Sequence, residues 1–462
     1  MPQRLQPVET VSRPRVRVGA ALLDRLREGY TARDLRADIM AGAVVGVVAL
    51  PLAMALAIAS GVPPQHGLYT SIVAGGLIAL LGGARTSVSG PTAAFVVVLS
   101  PIAARFGVSG LLMAGGLAGL LLIVMGLARL GRLIQFIPYP VTTGFTAGIA
   151  VVIASLQVKD FLGLTFPGTP EHFAERLSWF AAALPTWRAP DLLFGAGTLA
   201  LLVLWPRVTR SVPAPLVALA AAGVAAFALA TWAPHWTVAT IGSRFHYESG
   251  GALLPGIPRL PPHFALPWLL PGPDGAVVPL SLDLVEKLMG PALAIAMLGA
   301  IESLLCAVVA DGMAATRHDP DGELLAQGVG NLVVPFFGGV AATGAIARTA
   351  TNIRAGARSP LAAFVHAIFV LAAVLLLAPW LAWLPMASLA ALLLLVAWNM
   401  SEARHFVRIL RVAPRSDTVV LLTCFTLTVV FDMVVAVSVG IVLAALLFMR
   451  RMAEIEIGRA HV

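Results

Sequence analysis

Gly82-Gly83-Ala84-Arg85-Thr86-Ser87-Val88-Ser89-Gly90-Pro91-Thr92 closes one long apolar run and opens another with Gly-Pro. Phe337-Gly338-Gly339-Val340-Ala341-Ala342-Thr343-Gly344-Ala345 does the same about 250 residues later. Aligning Ser89-Gly90-Pro91-Thr92-Ala93 with Thr343-Gly344-Ala345-Ile346-Ala347 brings the two halves of the chain into register. Each half then offers about seven apolar spans with its third span interrupted, and an odd number of spans forces the second half to be inverted. Broken spans at matching positions are the best sequence pointer to a transporter's binding site. The plainer reading is that small-residue stretches only let helices pack closely. Matching placement in both halves is hard to obtain from packing need alone.

Composition sets the solvent. The 462 residues are 59% hydrophobic and 12% charged, with a mean hydropathy of +0.90. Soluble domains carry about 25% charged residues, so this chain cannot coat itself with charge and lipid must cover most of it. A spanning helix needs about 20 mostly apolar residues. That criterion gives about fourteen spans, centred near Leu50, Ala74, Val97, Leu120, Val151, Ala200, Ala222, Leu298, Val333, Ala350, Leu371, Leu392, Leu422 and Val442. The fold class expected is therefore an all-α polytopic membrane protein of two inverted seven-span repeats, with strand-like stretches before two half-helices. The expected division is an N-terminal cytoplasmic arm (1–37), a first repeat (38–245), an external loop (246–283), a second repeat (284–451) and a short tail (452–462). The arm lacks the short apolar stretch and cleavage site of a signal peptide and offers an amphipathic helix around Ala20–Tyr30.

The net charge of +8 rests on arginine, since Lys159 and Lys287 are the only lysines. The arginines flank apolar runs and form no single face, which points to membrane topology and away from nucleic acid. With the amino terminus inside, Arg129, Arg132, Arg207, Arg210, Arg317, Arg354, Arg358, the cluster Arg404–Arg415, Arg450 and Arg451 all fall in cytoplasmic connections. This fits both termini in the cytoplasm and an inner (plasma) membrane location. Cys306 and Cys424 lie in apolar segments and read as small core residues.

Non-helical backbone at membrane depth survives only inside protein or beside a water-filled cavity. Helices that begin near Pro91 and Ala345 would point free N–H groups and positive dipole ends into that cavity, where an anion is attracted. Thr92 and Thr343 could add hydroxyl donors or simply cap their helices. The amides of Ala93, Ala94, Ile346 and Ala347 could complete the shell. Arg348 lies in the first turn of the second half-helix; an intramembrane Arg normally faces a cavity or a partner. It could bind the anion, set its field, or pair with Glu302. Glu302, in an apolar helix, could exchange a proton, neutralise Arg348, or ligate Na⁺ with an oxygen from Ser303. Asp432 is expected near the external interface, His366 as a satisfied interior histidine, and Val62–Tyr69 as a rigid external turn. No P-loop, HExxH, zinc-spaced Cys/His cluster or GxSxG is present, so an enzyme is not indicated.

The blocks Asp38-Ile39-Met40-Ala41-Gly42, Val48-Ala49-Leu50-Pro51, Ala57-Ile58-Ala59-Ser60-Gly61-Val62-Pro63-Pro64, Ser89-Gly90-Pro91-Thr92 and Arg348-Thr349-Ala350-Thr351-Asn352-Ile353-Arg354-Ala355-Gly356-Ala357 resemble the SulP family of anion transporters. The resemblance covers about Asp38 to Arg451. It implies a core domain from the first four spans of each repeat, a gate domain from the other six, an elevator-like movement and a dimer. It puts Thr92, Ala93, Ala347 and Arg348 at the anion site and an acidic coupling residue at Glu302. Two departures stand out. Leu52 occupies the place of a glutamine found after the first-span proline in many relatives, which makes the site less polar and favours a carboxylate or dicarboxylate. Relatives also usually continue into a STAS domain, whereas this sequence stops at Val462. The function expected is secondary transport of a small inorganic or organic anion (carboxylate, sulfate or bicarbonate class). Coupling is expected to a proton, with Na⁺ coupling, exchange or a channel as alternatives; no cofactor or metal is expected.

Overall fold

The computed structural model describes residues 17–134, 139–166, 168, 173–209, 212–233, 235–249, 251–270, 272, 279–430, 439 and 442–443. A short amphipathic helix, α1 (Ala20–Arg27), buries Ala20 and Ala21 and turns Arg25 and Arg27 toward its end. The first span, α2 (Ala32–Ala59), starts at a capping box. Thr31 Oγ1 accepts from the Asp34 amide at 3.3 Å, and Asp34 accepts from the Thr31 amide at 3.0 Å. This helix begins six residues before the expected arm boundary at 37/38, because a good cap fixes a helix start that hydropathy does not register. Next come α3 (Pro64–Leu81), the two-residue strand β1 (Ser89–Gly90) and α4 (Ala93–Leu127). Within α4, Gly107 has φ 67° and ψ −170°, a left-handed position suited to glycine, and it divides the helix into the two spans expected at Val97 and Leu120. The rest of the first half holds α5 (Gly131–Ile134), α6 (Tyr139–Leu162), α7 (Phe173–Ala183), α8 (Ala189–Val208), α9 (Ala214–Trp232) and α10 (Ile241–Arg244). A hairpin of β2 (His246–Ser249) and β3 (Ala252–Pro255) sits in the long connection.

The second half follows the same order: α11 (Leu282–Ala314), α12 (Pro320–Val333), β4 (Thr343–Gly344), α13 (Ile346–Arg354), α14 (Leu361–Leu381), α15 (Met386–Met400), α16 (Ala403–Val412) and α17 (Arg415–Val430). The first thirteen expected centres all fall inside helices. Among the described residues, eight helices are long and apolar enough to cross a membrane. The count is below fourteen for physical reasons: α4 contains two spans, α12, α13 and α17 have only 14, 9 and 16 residues, α3 opens on the polar Gln65 and His66, and the last expected span lies almost wholly outside the described residues. The Val442 span, Asp432, Arg450, Arg451 and the tail 452–462 lie wholly or almost wholly outside the described residues. The Val62–Tyr69 turn is shorter than expected, because Pro64 starts α3 and His66 is already helical, its Nδ1 2.5 Å from the Gly338 carbonyl oxygen.

The helices pack in two groups. In one, α4 lies against α11 and α12, and α14 lies against α2 and α3; in the other, α15 and α17 lie against α6, and α8 lies against α9 and α15. Lipid gives apolar helices little hydrophobic reason to associate, so small residues that let backbones meet decide the contacts. At the α4–α12 crossing, a Cβ on Gly119 would sit 2.4 Å from the Leu332 amide nitrogen, and one on Gly328 would sit 2.6 Å from that of Ile123. At one membrane face, buried Asp38 accepts from the amides of Arg358 (2.6 Å) and Ser359 (3.2 Å), the Ser359 hydroxyl (2.5 Å) and the Tyr30 hydroxyl (2.7 Å). It ties the start of α2 to the turn before α14. Arg358, expected only as a topology anchor, also bonds Asp34 at 2.9 Å. Outside the spans, Arg17 beside Asp24 and Arg85 beside Glu28 hold both carboxyls below their usual range.

Candidate anion site

The two broken stretches meet. β1 and β4 pair antiparallel with Ser89 opposite Gly344 and Gly90 opposite Thr343, so the two stretches that the internal alignment matches, Ser89 to Thr343 and Gly90 to Gly344, meet as inverted partners. So short a ladder leaves many backbone groups without sheet partners, and each would cost free energy if buried unpaired. Side chains from neighbouring helices supply the partners. Thr349 Oγ1 accepts from the Val88 amide at 2.9 Å, and Asn352 Nδ2 donates to the Thr86 carbonyl at 2.9 Å. Asn331 accepts from the Ala342 amide at 2.7 Å and donates to the Ala342 carbonyl at 2.8 Å. Glu323 Oε2 accepts from the amides of Gly83 and Ala84 at 3.0 and 3.1 Å. Gln327 donates to Ser89 Oγ at 2.8 Å and to Glu323 Oε1 at 3.1 Å.

Glu323, Gln327 and Asn331 stand four residues apart, so they line one face of α12. The sequence reading missed all three. Their i, i+4, i+8 spacing in an otherwise apolar segment was the available signal, masked because polar residues only shortened the apparent span.

Both helices that leave the strand pair begin without a side-chain cap: α4 after Thr92 and α13 after Ala345. They run to opposite faces. Ala103, in the first part of α4, lies against Gly61 just beyond the end of α2. Arg358, four residues beyond the end of α13, bonds Asp34 and Asp38 at the start of α2. The two helix starts therefore converge on one strand pair from opposite directions. Ala93 and Ala94 are buried there, whereas Ile346 (45% exposed) and Ala347 are open.

Arg348 is 2% exposed. Its Nη2 donates to the Pro91 carbonyl at 2.7 Å, while Nε and Nη1 have no hydrogen-bond partner. Gly90 makes room for it, since a Cβ at that position would lie 2.4 Å from Nη1. The guanidinium thus reaches across from the second half to the first, with part of its donor fork unused. Glu302, half-buried on α11, accepts from Thr92 Oγ1 at 2.9 Å. Thr92 therefore does not cap its helix; its hydroxyl serves the carboxylate.

Several side chains differ from the sequence expectation. Among the described residues no ion pair joins Arg348 to Glu302. Thr343 Oγ1 is taken by Ser303 Oγ at 2.7 Å and by the Gly299 carbonyl at 3.1 Å, so it neither caps α13 nor offers a free donor. Ser303 Oγ also accepts from the Gly344 amide at 3.2 Å, which ties up the oxygen considered for Na⁺. His366 is fully buried, as expected of an interior histidine. Cys306 and Cys424 are buried and free, as core residues would be. The structure therefore brings Thr92, Ala93, Ala94, Glu302, Ile346, Ala347 and Arg348 around the two helix starts.

Known proteins share this architecture. The model of the Sulfate permease family matches residues 35–424. The chain is 42% identical over 427 residues to YvdB of Bacillus subtilis (strain 168), covering 92% of this chain and 76% of YvdB. It is 30% identical over 435 residues to the bicarbonate transporter BicA of Picosynechococcus, covering 92% and 72% of the two chains. Among solved structures, the transmembrane domain of a cyanobacterium BicA superposes with a TM-score of 0.73 at 26% identity, covering 90% of this chain and 98% of that one. SLC26A9 superposes with a TM-score of 0.79 at 18% identity, covering 93% and 68%, a likeness of fold.

Proposed function

From the premise that this chain belongs to the sulfate permease family and is an integral multi-pass membrane protein, we propose that it is a secondary active transporter of a small oxyanion coupled to protons. The observation that carries this is the pair of uncapped helix starts on one strand pair, with Arg348 unsaturated beside them. Uncapped first-turn amides and the positive ends of two helix dipoles favour an anion. The amides of Ala93, Ala94, Ile346 and Ala347, with the free face of Arg348, form its shell. The anion is of the carboxylate or dicarboxylate, sulfate or bicarbonate class; the apolar Leu52 favours a carboxylate, and the relatives' names favour sulfate or bicarbonate.

Glu302 carries the coupling proton. It lies one hydrogen bond from Thr92, whose neighbour Ala93 opens α4, so its charge acts directly on the anion site. Loading an anion together with a proton leaves this region less charged than loading either alone, which favours symport. The helices packed around the strand pair form the moving core, and α6, α8, α9, α15 and α17 form the frame against which it slides. The repeats 38–245 and 284–451 are inverted, both termini face the cytoplasm across the inner membrane, and the protein works as a homodimer.

Uptake into proteoliposomes tests this. Labelled sulfate, bicarbonate and dicarboxylates are offered at equal pH, then with an inward proton gradient, then with an inward Na⁺ gradient at clamped pH. One anion should accumulate above equilibrium with the proton gradient and not with Na⁺. Accumulation with Na⁺ alone, or flux that only equilibrates, would replace proton symport with Na⁺ coupling, exchange or a channel.

A further inference from the structure

A cationic cavity, of about 240 Å³, lies at the junction of the two helix groups, near the end of α2 where Gly61 and Val62 line it. At about 30 Å³ per water molecule, it has room for a small hydrated oxyanion. It is separate from the helix starts: Lys159, Asp160, Arg176 and Arg244 line it, and neither Arg348 nor Glu302 does. Its lining holds three cations against one carboxylate. That carboxylate, Asp160, is already engaged by Arg244 at 2.5 Å.

Arg176, on α7, is only 8% exposed. Its Nη1 donates to Ser155 Oγ at 2.9 Å, and its Nε has no hydrogen-bond partner. A buried guanidinium with an unused donor on a cavity wall is costly unless something of opposite charge or polarity occupies the space. Lys159, in the last turn of α6, sets its ammonium 5.1 Å from the centroid of the Phe166 ring. The ring fixes its position without neutralising its charge. The cations come from α6, α7 and α10, while Gly61 and Val62 follow α2, so a movement of the core along the frame would reshape the cavity.

We propose that this cavity is a second anion site, which captures a small oxyanion on Arg176 and Lys159 at the Gly61 face before it reaches the helix starts. The binding itself stands on the cavity alone; only its place as an antechamber rests on the transport reading above.

Equilibrium binding of radiolabelled selenate to the detergent-solubilised chain tests it. The unaltered protein should bind two equivalents. Arg348→Gln should leave the one held in the cavity, Lys159→Gln with Arg176→Gln should leave the one at the helix starts, and all three together should bind none. Lys159→Gln alone, at the helix surface, should weaken the cavity site about tenfold with an unchanged melting temperature, which separates binding from folding. Arg348→Gln protein that binds no selenate would overturn the cavity site. Selenate binding indifferent to Arg348→Gln but lost with Lys159→Gln and Arg176→Gln would uphold the cavity and count against the helix-start site instead.

Discussion

Arg348→Gln should weaken anion binding at the helix starts by at least about thirtyfold and abolish detectable transport, while leaving the protein as stable as before. The expectation comes from an imbalance at this side chain. One nitrogen bonds the Pro91 carbonyl, two have no partner, and the residue is 2% exposed. Removing one partner of a desolvated, charge-assisted contact costs roughly 2–5 kcal/mol, and each 1.4 kcal/mol is about tenfold in affinity. In the empty protein the same charge is incompletely compensated, and replacing such a group with a neutral one is often neutral or stabilising. A purely structural arginine would behave the opposite way, with the melting temperature falling and binding surviving in whatever folds. Arg348→Lys keeps the charge but not the planar fork, so its affinity should fall between the two. Thermal melts beside binding isotherms separate these outcomes.

Glu302→Gln is the second large effect, and it divides binding from coupling. The glutamine carbonyl can still accept from Thr92 Oγ1, so the start of α4 should keep its geometry and anion affinity should change by no more than about threefold. The proton is lost. Uptake under an inward proton gradient should fall from concentrative to merely equilibrating, while counterflow of labelled against unlabelled anion continues. Concentrative uptake that survives in Glu302→Gln would remove the proton role and return Glu302 to a structural charge.

The membrane fold was legible because its signals are local and redundant. Ser89-Gly90-Pro91 and Thr343-Gly344-Ala345 break apolar runs at matching places, and their first two residues form the two strands. Helix counting worked for the same reason, down to Val97 and Leu120 as separate spans, which the non-helical backbone at Gly107 divides. What was not legible depends on pairings across hundreds of residues. Glu323, Gln327 and Asn331 read as blemishes in an apolar span, yet Glu323 and Asn331 satisfy backbone groups of the first and second broken stretch, and Gln327 links Glu323 to the Ser89 hydroxyl. Thr92 reads as a helix cap from its place before Ala93. Only the fold brings Glu302 close enough to take its hydroxyl instead. Arg176 lies between the spans expected at Val151 and Ala200, where hydropathy assigns it no place; α7 turns it inward onto Ser155.

The proposed function places the anion between the two helix starts. Its most direct test is a crystal of the intact protein grown with selenate, with the anomalous signal of selenium locating the ion. A peak is expected within hydrogen-bond reach of the amides of Ala93, Ala94, Ile346 or Ala347 and of the free guanidinium face of Arg348, absent from crystals of Arg348→Gln. Anomalous density confined to other places, with none between α4 and α13 at saturating selenate, would contradict it.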